Sequence, residues 1–307
     1  MDTYLRSVLR MIEPTPTQAR GAQRSHRHLR ELLDSGQMAS RITGSYLSGS
    51  YSRDTAIYPL DDVDIIFTID PTSWQTGLLG RLVRPSPDKV LESFARALRL
   101  RYPQTSVHTQ RRSVRLALAH VDIDCVPAIE ESPESAFIVV PDRKDGTWIR
   151  SSPTRHKLIS AEVNAVNNGH LKPLVKLVKH WNASLPQTAR VRSFLIETLA
   201  ITLFSRQRME SLTDGLLQFF DFLAAQAGQA RVSDWKDSYG VSLNAWATEV
   251  PDIAGTGTNV AAGMSAERRT RFLQRAVMAR ERTLKAVHAN TSTAAQRHLA
   301  AALKHDD

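Results

Sequence analysis

Residues 49–64 read GSYSRDTAIYPLDDVD and residues 121–129 read VDIDCVPAI, and these two stretches decide how the first half of the chain is read. In DVDIIFTID (62–70), β-branched and aromatic residues alternate sides, which is the pattern of a strand. Asp62 and Asp64, at i and i+2, therefore share one face while Val63 and Ile65 enter the core. Carboxylates held that close repel unless a cation lies between them. Hard divalent ions such as Mg²⁺ take oxygen ligands, and two-metal phosphoryl-transfer sites share carboxylates between ions roughly 3.5–4 Å apart. A third carboxylate from another strand completes such a site, and Asp122 and Asp124 repeat the same spacing 60 residues on. Upstream, Gly49 lets backbone approach a ligand closely, and the Ser50 hydroxyl with the amides that follow suits a triphosphate. The eleven residues between Ser50 and Asp62 allow turn and strand to converge. Asp61 is expected to be a turn residue rather than a ligand. Cys125, between apolar neighbours, is expected in the core.

Outward from this pair, residues 15–35 read as a helix with Thr15 or Thr17 near its cap and Gly36 at its end. Residues 42–47 read as a strand, GSYS as a turn into a short helix, and 71–85 as loop. SPDKVLESFARALRLRYP predicts an amphipathic helix capped near Ser86 and stopped before Pro103. SVRLALA (113–119) and VDIDCVPAI predict two more strands. From Pro153 onward the pattern is helical: PTRHKLISAEVNAV, HLKPLVKLVKHWN, SFLIETLAITLF, LTDGLLQFFDFLAAQ and a long helix from about Ala266 to His288. The class is α+β, a mixed-sheet core followed by a helical lobe, divided as 1–152 and 153–307. Trp148 and Trp181 are expected to pack between the lobes.

The chain has 307 residues, 42% of them hydrophobic, enough for two lobes, and a net charge of +9 that suits polyanionic partners. No run of about 18 apolar residues suggests a membrane span, and the first residues lack the pattern of a secretory leader, so a cytoplasmic protein without membrane association is expected. A single cysteine excludes an internal disulfide and argues against a thiolate zinc site.

Gly49-Ser50, eleven residues, then Asp62-Val63-Asp64-Ile65 resembles the signature of the nucleotidyltransferase β superfamily. PLDDVDI followed by DCVPAI resembles the branch that holds oligoadenylate synthetase, cGAS and the bacterial CD-NTases, and DGTWIRSSPTRH, LVKLVKHWN, RSFLIETLA and TNVAAG follow in that family's order. The resemblance covers roughly residues 15–290. It implies a bilobal, polymerase-β-like nucleotidyltransferase fold, with Asp62, Asp64 and Asp124, rather than Asp122, as catalytic metal ligands. It further implies that Ser50, beside Gly49, contacts the triphosphate, that Lys179 and Lys176 contact donor phosphates, and that Ser193 contacts phosphate while Phe194 stacks on a base. In LVKLVKHWN the apolar residues form one helical face, and Lys172, Lys176 and Lys179 fall at i, i+4 and i+7 on another, where a solvated stripe is the ordinary reading.

By the same resemblance, the expected activity is that of a bacterial antiphage (CBASS) synthase. It would use two Mg²⁺ ions, with Mn²⁺ as a substitute, to join ATP and other NTPs into a cyclic di- or trinucleotide with release of pyrophosphate. A regulatory protein or a nucleic-acid activator, and a separately encoded effector that binds the product, would be its partners. Two rivals stand beside this reading. One is a template-independent enzyme making linear oligonucleotides or extending RNA; the other is an inactive sensor that keeps the fold.

Overall fold

The structure is a computed structural model and describes residues 1–35, 38–60, 62–74, 84–119, 121–132, 134–227 and 250–304. The chain divides into two compact units, residues 14–157 and residues 1–13 with 158–307. The division groups residues 1–13 with the C-terminal helices and falls at 157/158, where the sequence boundary was drawn at 152/153.

In the sheet unit, α2 (Pro16–Ser35) begins at a reciprocal cap. The Gln18 amide donates to Thr15 Oγ1 at 3.2 Å, and the Thr15 amide donates to Gln18 Oε1 at 3.1 Å. Next come β1 (Ile42–Leu47), the short α3 (Gly49–Ser52) and β2 (Asp62–Ile69). Helix α4 (Pro87–Arg101) has Pro87 and Asp88 in its first turn and Arg99 and Arg101 in its last, each suited to its end of the helix dipole. The strands that follow are β3 (Ser106–Thr109), β4 (Val114–Ala117), β5 (Asp122–Glu130), β6 (Ile138–Asp142) and β7 (Thr147–Ser151).

The strand order is β1-β2-β5-β4-β3, with β6 joined to β5 and β7. Among the described strands, only the β2–β5 pair is parallel. Alternation assigns the two faces. Val63, Ile65 and Phe67 of β2, Val114 and Leu116 of β4, and Ile123 and Cys125 of β5 enter the main core with Phe94 and Leu98 of α4. On the opposite face Ile66, Ala128, Ile138 and Val140 form a smaller cluster. Burying this much apolar side chain, at about 25 cal/mol per Å², is what holds the sheet against α2 and α4.

The expected strands and helices of this unit are present, but β3, β6 and β7 were not anticipated. β3 reads SVHT, four residues without a continuous apolar signal. β6 and β7 form an antiparallel pair whose intervening Gly146 has φ +65°, and they lie just ahead of the expected division at 152/153. Residues 71–74, expected as loop, form a 3₁₀ turn. The rest of that expected loop through residue 83, together with Gly36 and Asp61, lies outside the described residues.

The helical unit comprises α1 (Asp2–Ile12), the later part of α5 (Pro153–Val166), α6 (Leu171–Ser184), α7 (Ser193–Phe204), α8 (Leu212–Gln226), α9 (Ala266–Val287) and α10 (Ser292–Leu303). Helix α1 buries Leu5, Val8, Leu9 and Ile12. Its Asp2 carboxylate also accepts from the Leu212 and Thr213 amides, both at 3.0 Å, where negative charge meets the positive end of the α8 dipole. That anchor explains why residues 1–13 group with helices far along the chain. Side-chain caps at Ser211, Ser265 and Thr291 start α8, α9 and α10.

Trp181, expected to pack between the lobes, belongs to the core of the helical unit. It is 2% exposed and meets Phe220 and Phe272 at ring-centroid distances of 5.0 and 5.4 Å inside the helical unit. Trp148 belongs to the edge of the sheet-unit core, its indole donating to the Pro85 carbonyl at 2.8 Å. Among the described residues no helix is long and apolar enough to cross a membrane.

Candidate active site

Strand register builds the acidic cluster. Asp62 lies opposite Asp122, Asp64 opposite Asp124, and Arg115 of β4 opposite Asp124 on its other side. Because residues two apart share a face, all four carboxylates and the guanidinium rise from the same face of three adjoining strands.

The turn after β1 closes against this face. The Ser48 amide donates to the Asp64 carbonyl at 2.8 Å, Gly49 has φ +66°, and a Cβ on Gly49 would stand 1.8 Å from Asp64 Oδ2. Gly49 therefore has two reasons to be glycine: its backbone angle and the carboxylate beside it. The Ser50 carbonyl accepts from the Thr55 amide at 2.9 Å, which ties the turn down on its far side.

The charge within the cluster is unevenly balanced. Burial pushes the Asp64 carboxyl up to about 7, and the negative charges of Asp62 and Asp124 add to the effect against the opposing Arg53 and Arg115. Asp124 is the carboxylate that strand register sets directly across from Asp64. Arg115 Nε and Nη2 donate to Asp124 Oδ1 and Oδ2 at 2.9 and 2.6 Å. The same guanidinium donates to Asp62 Oδ2 and Asp122 Oδ2, each at 3.2 Å. Asp124 is nearly buried and is held through both its oxygens.

The donor chemistry of Asp62, Asp64 and Asp124 fits Mg²⁺. All ligating atoms would be hard oxygens, three carboxylates set on one sheet face by strand register. Among the described residues, no three histidine, cysteine or acidic side chains stand in an arrangement that could hold a metal ion as they are placed. Instead, the Arg115 guanidinium lies among the carboxylates. Cys125, on the opposite side of β5, is fully buried and its thiol is held well above the usual range by burial, so it offers no nucleophile.

The remaining candidates belong to the helical unit. Lys176 and Lys179 do not form a solvated stripe. Both are buried; Lys176 Nζ bonds Glu13 Oε1 and Lys179 Nζ bonds Glu197 Oε2, each at 3.0 Å. Ser193 and Phe194 open α7, with Ser193 exposed and Phe194 half-buried, and Glu197 stands one turn further along the same helix. The structure thus gathers Gly49, Ser50, Asp62, Asp64 and Asp124 in one unit, and Lys176, Lys179, Ser193 and Phe194 on two contacting helices of the other.

Sequence reasoning missed Arg115 and Glu197. A signal for Arg115 was available: in SVRLALA it is the charged residue on the outward side of a strand whose Val114 and Leu116 face inward. Glu197 carried the parallel signal, an acid within the otherwise apolar SFLIETLAITLF.

With this geometry established, comparison with known proteins is informative. The model of the Second Messenger Oligonucleotide or Dinucleotide Synthetase domain matches residues 1–164. A cyclic AMP-AMP-AMP synthase of Acinetobacter sp. is 32% identical over 203 residues, covering 62% of this chain and 55% of that protein's length. A cyclic AMP-AMP-GMP synthase of Enterobacter hormaechei is 26% identical over 302 residues, covering 75% of each chain. The structure of E. coli CdnC with ATP superimposes with a TM-score of 0.73 over 99% of both chains at 19% identity, a likeness of fold.

Proposed function

Because the chain belongs to the Second Messenger Oligonucleotide or Dinucleotide Synthetase family, we propose that it joins nucleoside triphosphates into a cyclic oligonucleotide and releases pyrophosphate at each step. The observation that carries this reading is the face shared by Asp62, Asp64 and Asp124, closed by the Gly49–Ser50 turn. ATP is the first substrate of choice, since adenylate recurs in the product names of both relatives, and the same names favour a ring of three nucleotides over two.

Each residue has a stated task. The Ser50 hydroxyl and the amides after it hold phosphate oxygens of the donor, and Gly49 lets them stand close to the carboxylates. Asp62, Asp64 and Asp124 would hold two Mg²⁺ ions, or Mn²⁺ in their place. When bound, such ions neutralise phosphate charge and favour ionisation of an attacking hydroxyl. The resemblance assigns Lys176 and Lys179 to donor phosphates, Ser193 to a phosphate and Phe194 to a base, and in the structure each lysine is held by an acid, Glu13 or Glu197. Glu197 fixes Lys179 by a buried ion pair from α7 to α6. The chain's contribution is mostly position and charge, as in phosphoryl transfer generally.

A regulatory protein is part of this reading, because E. coli CdnC has been solved in a complex with HORMA-deltaN. A product-binding effector encoded elsewhere, and a role in antiphage defence, complete it. The deciding experiment incubates the purified protein with labelled NTPs and Mg²⁺ or Mn²⁺, then applies phosphatase, chromatography and mass spectrometry. A phosphatase-resistant product that disappears in the Asp62→Asn/Asp64→Asn variant supports a cyclic oligonucleotide synthase. A phosphatase-sensitive ladder would replace it with a linear polymerase. Full synthesis by the double variant would remove the basis of the whole assignment.

A further inference from the structure

We propose that Arg115 is a resident cation of the aspartate cluster, competing with divalent metal for the oxygens of Asp124 and Asp62 and so setting the metal affinity of the site. This inference rests on the reading of Asp62, Asp64 and Asp124 as metal ligands.

Three features of the geometry carry it. Arg115 is placed by register directly across from Asp124, so its position among the carboxylates follows from the sheet itself. Its guanidinium makes four N–H···O contacts to three different carboxylates, at 2.6–3.2 Å, and both oxygens of Asp124 are used. Arg111 and Arg143 each meet two acids, but Arg115 meets three and forks on the one that is nearly buried, so it spans the cluster in the manner of a bound cation. Finally, the Arg115 side chain is 28% exposed whereas that of Asp124 is 9% exposed. The arginine has solvent to move into and the aspartate does not, so the guanidinium is the partner that yields.

The physical logic is one of charge. Four carboxylates on one sheet face repel in the absence of a counter-ion, and the fork on Asp124 with a contact to Asp62 relieves that repulsion while keeping both groups oriented. A divalent ion needs the same oxygens. Guanidinium keeps its proton at any accessible pH, so Arg115 leaves by displacement rather than by deprotonation. Metal affinity then equals the ion's intrinsic affinity reduced by the strength of the arginine contacts it replaces.

The test uses the full chain, stripped of metal and free of nucleotide, titrated with Mn²⁺ while the paramagnetic signal of the free ion is recorded. Arg115→Met should bind Mn²⁺ about tenfold or more tightly than the unmodified protein, the scale of losing charge-assisted hydrogen bonds. Arg115→Lys, which keeps a charge but not the fork, should fall between them, and it carries the test if Arg115→Met does not fold. A structure of the unmodified protein with Mn²⁺ should show the Arg115–Asp124 fork opened. Equal or weaker Mn²⁺ binding by both variants, or an intact fork beside bound metal, overturns the proposal. Saturable binding that Asp64→Asn abolishes but the Arg115 variants leave unmoved sinks this inference alone. No saturable binding in any form sinks the metal-site reading with it.

Discussion

Asp64 Oδ2 lies only 1.8 Å from where a Cβ on Gly49 would be, so the turn after β1 and the acidic strand touch at a point that tolerates no side chain. The φ of +66° at Gly49 adds a second, independent barrier. Gly49→Ala is therefore expected to lose about 1–3 kcal/mol from the backbone conformation alone. Product formation should fall about 10²-fold as Asp64 is pushed from its place. Denaturant midpoints and initial rates check both. An alanine variant of native stability and full rate would mean that the turn and Asp64 are not coupled.

Asp64 itself carries a cost that the proposed metal site would account for. The carboxyl is held near neutrality because burial and the neighbouring Asp62 and Asp124 oppose its charge. Asp64→Asn removes that repulsion and keeps the shape. In chelator the variant should melt no lower than the unmodified protein and should melt higher if the repulsion is large, while synthesis falls by about 10²–10³-fold. Calorimetry and a product assay on one preparation decide it. A variant that loses stability and activity in parallel would mark Asp64 as structural.

Much of this site was legible in the sequence because period and spacing act locally. Alternation in DVDIIFTID marked a strand and put two aspartates on one face, and the repeat in VDIDCVPAI announced the partner strand. Register was not legible. That Asp64 meets Asp124 and that Arg115 meets Asp124 depend on which strands adjoin, and an 11-residue connection says nothing of pairing. The lysines misled for a related reason. Helical spacing separates Lys172, Lys176 and Lys179 from the apolar face, but whether that second face meets water or another helix is decided by Glu13 and Glu197, distant in sequence. The contact of Asp2 with the start of α8 likewise lies beyond any local pattern, and with it the grouping of residues 1–13.

The Lys179–Glu197 pair separates a structural from a substrate-binding role. Both groups are almost wholly buried, so removing one takes an ion-pair partner from the other where water cannot readily replace it. Lys179→Met or Glu197→Leu alone should cost about 3–5 kcal/mol, and the double replacement should recover most of that loss. If Lys179 also serves the triphosphate, the stable double variant will still show a raised KM for ATP. Restored stability with an unchanged KM would confine the pair to holding α6 against α7.

Asp142 offers a pH test remote from the aspartate cluster. Its carboxylate is fully buried and accepts from Arg111 Nε at 2.7 Å and from Arg112 Nη2 at 3.3 Å. Burial alone would raise its pKa, but the hydrogen bond from Arg111 and the charges of Arg111 and Arg112 more than offset this and hold it below the usual 3.8. A carboxyl depressed in the folded state binds its proton more weakly there than in the unfolded chain. It therefore contributes stability above pH 3.8 that is lost as pH falls through the folded value. Asp142→Asn should accordingly be less stable than the unmodified protein by a constant margin between about pH 5 and pH 7, with the margin closing as acid approaches the carboxylate range. Urea midpoints across that series measure it. A margin that persists undiminished in acid would show that the amide side chain fails through shape or hydrogen bonding, and that the charge of Asp142 is not what joins β6 to the arginines ahead of β4.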